Sequence, residues 1–340
     1  MKAMVTGIYG PFLKDDEKEF IEEYKPWAFI LFARNIGTRD DVKRLTASLR
    51  EASGRENVFI FIDQEGGKVQ RLHPPLAPHY PEARTMGVLY EKDQEKGLRA
   101  SWIMSRLHAF DLTKLGINAN CLPVLDVPMQ GAHDIIGTRA YAFKPEIVTA
   151  LGFAAASGLL DGGVLPVMKH IPGHGRAFSD THVAPAHVNT PLNVLEQHDF
   201  VPFRNLADLP AAMTAHILYE SIDSRVPATL SKRVIDHVIR ETIGFDGVLI
   251  SDDISMKALS EFNVSGDFAY LTHQVFTAGC DIILHCNGHL TEMRAIANAA
   301  PPLTGKALER VSKAHSRVKR PDTSDEILLR EEFSELLMSI

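Results

Sequence analysis

The chain has 340 residues, 45% of them hydrophobic and 23% charged, enough to bury a sizeable core in one large α/β barrel or two medium domains. Its formal charge of −7 offers no general attraction for nucleic acid or an anionic membrane, so small molecules are the expected partners. Cys121, Cys280 and Cys286 show no metal-type pair spacing, the opening MKAMVTGIYG lacks the apolar core of a signal peptide, and no apolar run reaches the ~18 residues of a membrane span; a soluble cytoplasmic protein is expected.

In chain order, short apolar runs alternate with segments of helical spacing. AMVTGI (3–8) and AFILF (28–32) are followed by a helical pattern over 40–52 with Asp41 as its expected start. VFIFID (58–63) precedes a helix over 96–115 stopped by Gly116, and ANCLPVLD (119–126) precedes one over 146–160. VLPVMKH (164–170), a helix over 191–207, AAMTAHI (211–217) and a helix over 231–243 between Ser231 and Gly244 come next, then GVLISD (247–252) and CDIILHC (280–286). Near-continuous hydrophobicity is what a strand buried on both faces of a parallel sheet needs, and eight such alternations predict a (β/α)8 barrel. An open doubly wound sheet would call for GxGxxG or GxxxxGK[ST], and neither is present. Residues 305–320 read as an exposed amphipathic helix, followed by PDTSDE and a last helix from 326. With no composition break or internal repeat, residues 1–340 are expected to form one catalytic domain with C-terminal helices from about 305.

A barrel of this kind carries its active site at the C-terminal ends of its strands, where Asp63, Asp126, Lys169, His170, His216 and Asp252 all fall. Asp252 and Asp253 end one strand; because alternate residues point to opposite sides, one of them is expected to face the pocket and the other to bind backbone amides. The loop KHIPGHGRAFSDTH (169–182) holds Asp180 and His182 two residues apart, where an extended backbone would let the carboxylate orient the imidazole for proton transfer. Gly173 and Gly175 would give that loop the freedom to close. A zinc reading of His170, His174, His182 and His187 with Asp180 competes, but HExxH and HxH are absent and Lys169 would set a cation beside the metal. Asp63 and Arg71 suit hydroxyl recognition, unless Glu65 and Arg71 merely pair across the Gly66–Gly67 turn. Arg139 is either a substrate contact or an ion-pair partner. For glycoside cleavage, one carboxylate must stand beside the anomeric carbon and a proton donor at the leaving oxygen, and Asp252 with His182 supplies both.

Together, DQEGGKVQRL (63–72), PVLDV (123–127), IGTRAY (136–141), KHIPGHGRAFSDTH (169–182), AHILY (215–219) and GFDGVLISDDISM (244–256) resemble the single-domain bacterial β-N-acetylglucosaminidases of glycoside hydrolase family 3, which act in peptidoglycan recycling. The resemblance spans roughly residues 28–290. It implies Asp252 as nucleophile, His182 as general acid/base with Asp180 as its partner, and Asp63, Arg71, Arg139, Lys169 and His170 as sugar-binding residues. Thr181, Ile171, Ala140, Lys68 and Thr214 depart from the family's usual Ser, Phe, Ser, Arg and Pro, sparing the charged groups. The resemblance is to the family's single-domain members rather than to its multidomain β-glucosidases, so an acid/base histidine is expected rather than a carboxylate from another domain. The expected protein is a monomeric, cofactor-free, metal-free exo-glycosidase releasing terminal β-linked N-acetylglucosamine from muropeptides with retention. A β-glucosidase, a phosphorolytic relative and a catalytically silent sugar-binding protein on the same fold are the alternatives.

Overall fold

The structure is a computed structural model describing residues 1–129, 131, 136–177, 186–260, 262 and 266–339. Eight parallel strands close into a barrel in sequential order: β1 (Lys2–Gly7), β2 (Pro26–Leu31), β3 (Phe59–Ile62), β4 (Ala119–Asn120), β5 (Leu165–Ile171), β6 (Ala211–Thr214), β7 (Val248–Asp253) and β8 (Ile282–His285). Each pairs with its successor and β8 returns to β1, Met4 opposite Ile283, so the barrel leaves no open edge. No helix among the described residues is long and apolar enough to cross a membrane.

The two-residue pleat sorts the strands into two cores. Ile60, Ile62, Met168, Leu249 and Ile283 face the surrounding helices, whereas Phe59, Phe61, Leu165, Val167, Val248, Ile250, Ile282 and Leu284 fill the barrel axis. At the N-terminal end of the axis, Trp27 meets Phe59 and Phe61 with ring centroids 5.7 and 5.8 Å apart. The helix Gly305–Arg317 seals that end: Val311 and Ala314 join the axial core, and His315 stacks on Phe59 at 4.2 Å. Its amphipathic pattern is therefore not that of an exposed helix, since its apolar stripe plugs the barrel floor.

Other expectations shift in detail. The helix expected from Asp41 spans Arg39–Ser53 and is capped by Thr38; Asp41 sits one turn in, and its carboxylate accepts the Thr38 N–H at 2.9 Å in a capping box. The single helix expected over 191–207 breaks into Leu192–Gln197 and Val201–Asn205, where Pro202 suits a fresh first turn but not a helix interior. Gly54 and Gly244, at φ +64 and +80, lie past helix ends in the left-handed region that glycine enters without penalty. The last helix, Glu326–Met338, lies along Gln94–Thr113. Arg330 joins it to Asp111 at 2.6 Å, and Arg99 to Glu332 at 2.7 Å.

Candidate active site

Extending the axial alternation by one step past three of the strands replaces an apolar side chain with a charged one. Phe59, Phe61 and then Asp63 follow on β3, Leu165, Val167 and Lys169 on β5, and Val248, Ile250 and Asp252 on β7. These residues line a cavity of about 490 Å³ together with Arg71, Arg139, His170, His174, Lys68, Cys286 and an apolar wall that includes Phe32, Met213 and Met256. Six of the residues singled out in the sequence, Asp63, Arg71, Arg139, Lys169, His170 and Asp252, thus border one space. Asp180 and His182 lie outside the described residues.

One wall is a ladder of alternating charge. The Arg71 guanidinium donates to Asp63 at 3.1 Å, the Lys169 ammonium bridges Asp63 at 2.9 Å and Glu65 at 2.6 Å, and Arg139 grips Glu65 with two bonds of 2.7 and 2.8 Å. Burial alone would raise both carboxyl pKa values, but the neighbouring cations prevail: Asp63 is held well below the usual carboxylate range and Glu65 at about 2. Burial likewise opposes the charges of Lys169 and Arg139, and the two carboxylates outweigh it and push both pKa values up. Asp63, Glu65, Lys169 and Arg139 are therefore all ionised at neutral pH. Glu65 pairs with Lys169 and Arg139 rather than with Arg71, which removes the surface ion pair considered from the sequence. The sequence reading gave Glu65 no part in the site; it stands two positions from Asp63, and nothing local says that Arg139 and Lys169 converge on it.

A second anchor sits behind the cavity. Asp126, fully buried after β4, accepts the His170 N–H at 3.1 Å and the His174 N–H at 2.7 Å and contacts the His170 Nδ1 at 2.7 Å. Although burial opposes it, the two histidines hold its carboxyl at about 2. As an ionised carboxylate only accepts, Asp126 fixes the His170 proton on Nδ1 and leaves Nε2 toward the cavity. His170 and His174 stand edge to face at 5.4 Å, whereas His187 is 54% exposed beside Glu220, so the histidines of the zinc reading do not all share one environment.

The glycines of the KHIPGHG segment answer to close approach. A Cβ on Gly175 would collide with the Val127 carbonyl, and Gly173, at φ +143, has its carbonyl held by the Tyr219 hydroxyl. Asp126, the Met129 N–H and the Arg176–Asp199 pair at 2.7 Å clamp the same stretch. Positive φ at Gly173 and close approach at Gly175 thus account for both glycines without calling on the pivots expected from the sequence.

Asp252 and Asp253 both border the cavity, because the register of β7 against β8 shifts between Ile250 and Asp253 and interrupts strict alternation. Their carboxylates nevertheless differ. Asp253 accepts from the Ser255 N–H at 3.1 Å, the Ser255 hydroxyl at 2.7 Å and the Cys286 N–H at 3.1 Å, a structural role. Asp252 accepts the Asp253 N–H at 2.8 Å and lines the cavity together with Asp63, Arg71, Arg139 and Lys169. Cys286, beside them, is partly exposed; desolvation first, and then the Asp253, Asp252 and Asp63 carboxylates, push its thiol pKa well up, which leaves it a poor nucleophile.

A closed parallel barrel with a strand-end carboxylate facing a wall of fixed acceptors and donors has the make-up of a glycosidase of the (β/α)8 class. The chain belongs to glycosyl hydrolase family 3: the family's N-terminal domain matches residues 4–320. It is 33% identical to a protein from Alkalilimnicola ehrlichii named beta-hexosaminidase, over 92% of this chain and 88% of that one. A beta-hexosaminidase from Xanthomonas axonopodis pv. citri is 34% identical over 90% and 88%. Among solved structures it resembles NagZ from Neisseria gonorrhoeae in complex with N-trifluoroacetyl-D-glucosamine, with a TM-score of 0.86, 28% identity and coverage of 99% of this chain and 97% of that one.

Proposed function

We propose that the cavity binds a terminal, non-reducing β-linked N-acetylglucosamine and releases it from peptidoglycan fragments with retention of configuration, as a step in cell-wall recycling in the cytoplasm. The activity is that of a β-N-acetylhexosaminidase. The observation that carries the reading is the convergence of Asp252 with Asp63, Arg71, Lys169 and Arg139 on one cavity, with Glu65 pairing Lys169 and Arg139 behind it. In this reading Asp63, Arg71, Arg139, Lys169 and His170 hold the sugar: the carboxylate accepts from hydroxyls, and the guanidinium, ammonium and imidazole donate or exchange bonds at fixed positions. Asp252 attacks the anomeric carbon; the C1–O bond to the leaving group breaks while His182, oriented by Asp180, gives its proton to the departing oxygen. Water then cleaves the glycosyl–Asp252 ester, with His182 taking the proton back. The protein works as a monomer without metal or organic cofactor, residues 1–340 forming one catalytic unit.

Chromogenic β-N-acetylglucosaminide and β-glucoside, each with and without phosphate, test the substrate. Preference for the former with no phosphate acceleration supports the reading; glucoside preference or phosphate-dependent turnover overturns it. His182→Ala should slow substrates with poor leaving groups more than activated phenyl glycosides, and equal losses would remove His182 as the acid. Activity should survive chelation, and recovery that depends on added zinc would restore the metal reading.

A further inference from the structure

A buried chain of hydroxyls and one imidazole runs behind Asp252. The Asp252 N–H donates to Thr214 Oγ1 at 3.2 Å, Thr214 Oγ1 lies 2.7 Å from Thr229 Oγ1, and Thr229 Oγ1 lies 2.7 Å from His216 Nδ1. His216 Nε2 closes the circuit on the Asp253 carbonyl at 3.0 Å. All three side chains are buried, with relative exposures of 0% for Thr214, 1% for His216 and 0% for Thr229.

The direction of every proton follows from what each atom can do. The Asp253 carbonyl only accepts, so His216 Nε2 carries a hydrogen. Burial holds the His216 pKa below its ordinary value against the pull of Asp252 and Asp253, so the ring is neutral at neutral pH and Nδ1 accepts. Thr229 Oγ1 also lies 3.1 Å from the Ala215 carbonyl, so its one hydrogen is shared between that acceptor and the nearer Nδ1; Thr214 donates to Thr229, and the Thr214 lone pair is left for the Asp252 N–H. The chain thus grips the backbone of Asp252 and Asp253 at both ends, the N–H of the first and the carbonyl of the second.

We infer that Thr214, Thr229 and His216 are positioning residues that set the aim of the Asp252 carboxylate at the sugar. The inference rests on the reading of Asp252 as nucleophile. A carboxylate at a strand end, just past a register shift, is not fixed by sheet pairing alone, and the clamp replaces the missing ladder bonds. Thr214 is one of the positions where this chain departs from the family's usual residue, proline, whose ring has neither hydroxyl nor N–H and could not join the relay. The relay therefore belongs to the combination of threonines in this chain.

Thr229→Val keeps the shape and removes the hydroxyl, Thr229→Ser restores it, and Thr214→Val interrupts the chain from its other end. For both valine variants kcat on a chromogenic β-N-acetylglucosaminide should fall roughly ten- to hundredfold, as a small misplacement of a reacting group costs that much. KM and inhibition by free N-acetylglucosamine, which report the sugar-binding wall, should stay as in the parent, and Thr229→Ser should recover kcat. Unchanged kcat in both valine variants overturns the inference. So does a parallel fall of kcat, inhibitor affinity and melting temperature that serine does not rescue, because that is a packing effect. Asp252→Ala separates the two claims: if it retains turnover the nucleophile reading fails whatever the threonines do, whereas an inactive Asp252→Ala beside a fully active Thr229→Val rejects the clamp alone.

Discussion

The floor and the mouth of the barrel are built from the same strands and the same pleat, yet they solve opposite problems. At the floor, Phe59, Phe61, Trp27, Val311 and the His315 ring meet side chain to side chain, so burial itself stabilises them. At the mouth, one or two pleats further along, Asp63, Lys169 and Asp252 occupy the same inward phase and must be held by partners. The difference shows how the charged wall of the mouth is held: its carboxylates and cations satisfy one another before any ligand arrives.

The sharpest way to break the comparison is at Asp252. Asp252→Ala should remove turnover by about 10⁴-fold or more with melting temperature retained, as expected for a group that bonds to the substrate. Asp253→Ala should instead cost about 1–3 kcal/mol of stability, since it strands the Ser255 and Cys286 amides. A slow 2-fluoro glycoside that labels Asp253 would reverse the two assignments. Glu65→Ala comes next: it leaves Lys169 without one of its carboxylates and Arg139 without its bidentate partner, a loss of about 3–5 kcal/mol read by urea unfolding. Its KM should rise as the wall loses its geometry, and an unchanged KM would remove the ladder from sugar binding. Phe59→Ala should cost a similar ~3–5 kcal/mol but leave kcat at 25 °C near the parent value, because the floor only supports. A kcat that falls along with stability would mean that floor and mouth are coupled more tightly than their packing suggests.

The effect of pH is the most gradual. Burial lowers the pKa of His108 to about 3 and of His174 to about 4, from a free value near 6.5. Below about 6.5 the unfolded chain takes up protons that the native state refuses, so stability is full above that pH and declines beneath it, by up to about 1.4 kcal/mol per pH unit for each histidine. Glu65 and Asp126, with native values of about 2, prolong the decline from about 4 downward. Urea midpoints between pH 7.5 and 4.5 give the slope, and His108→Leu, which cannot titrate, should flatten it; an identical slope would acquit His108.

Much of this was legible in the amino-acid order, for definite reasons. Strands buried on both faces must be apolar throughout, so all eight could be read from their runs, and the acids and bases that end them were visible as the first departures from that rule. What sequence could not convey was partnership. Glu65 looked like a neighbour of Arg71 and is held instead by residues 74 and 104 positions away, a distance only the closed barrel removes. The helix from Gly305 showed its apolar stripe but not the open barrel end that the stripe covers. The glycines at 173 and 175 suggested a moving loop, when what requires them is a positive φ at Gly173 and the close approach of the Val127 carbonyl to Gly175.

Lys169 has a consequence for reagents as well as for sugars. An amine reacts with acylating or carbamylating agents only as the free base, and this one is held protonated by Asp63 and Glu65 with its pKa raised above that of an ordinary lysine. Although it borders the cavity, its side chain is only 3% exposed, whereas the Lys313 and Lys232 side chains are 67% and 68% exposed. Amine-directed labelling should therefore decorate the outside of the barrel and leave this lysine as one of the last to react, until unfolding breaks its ion pairs.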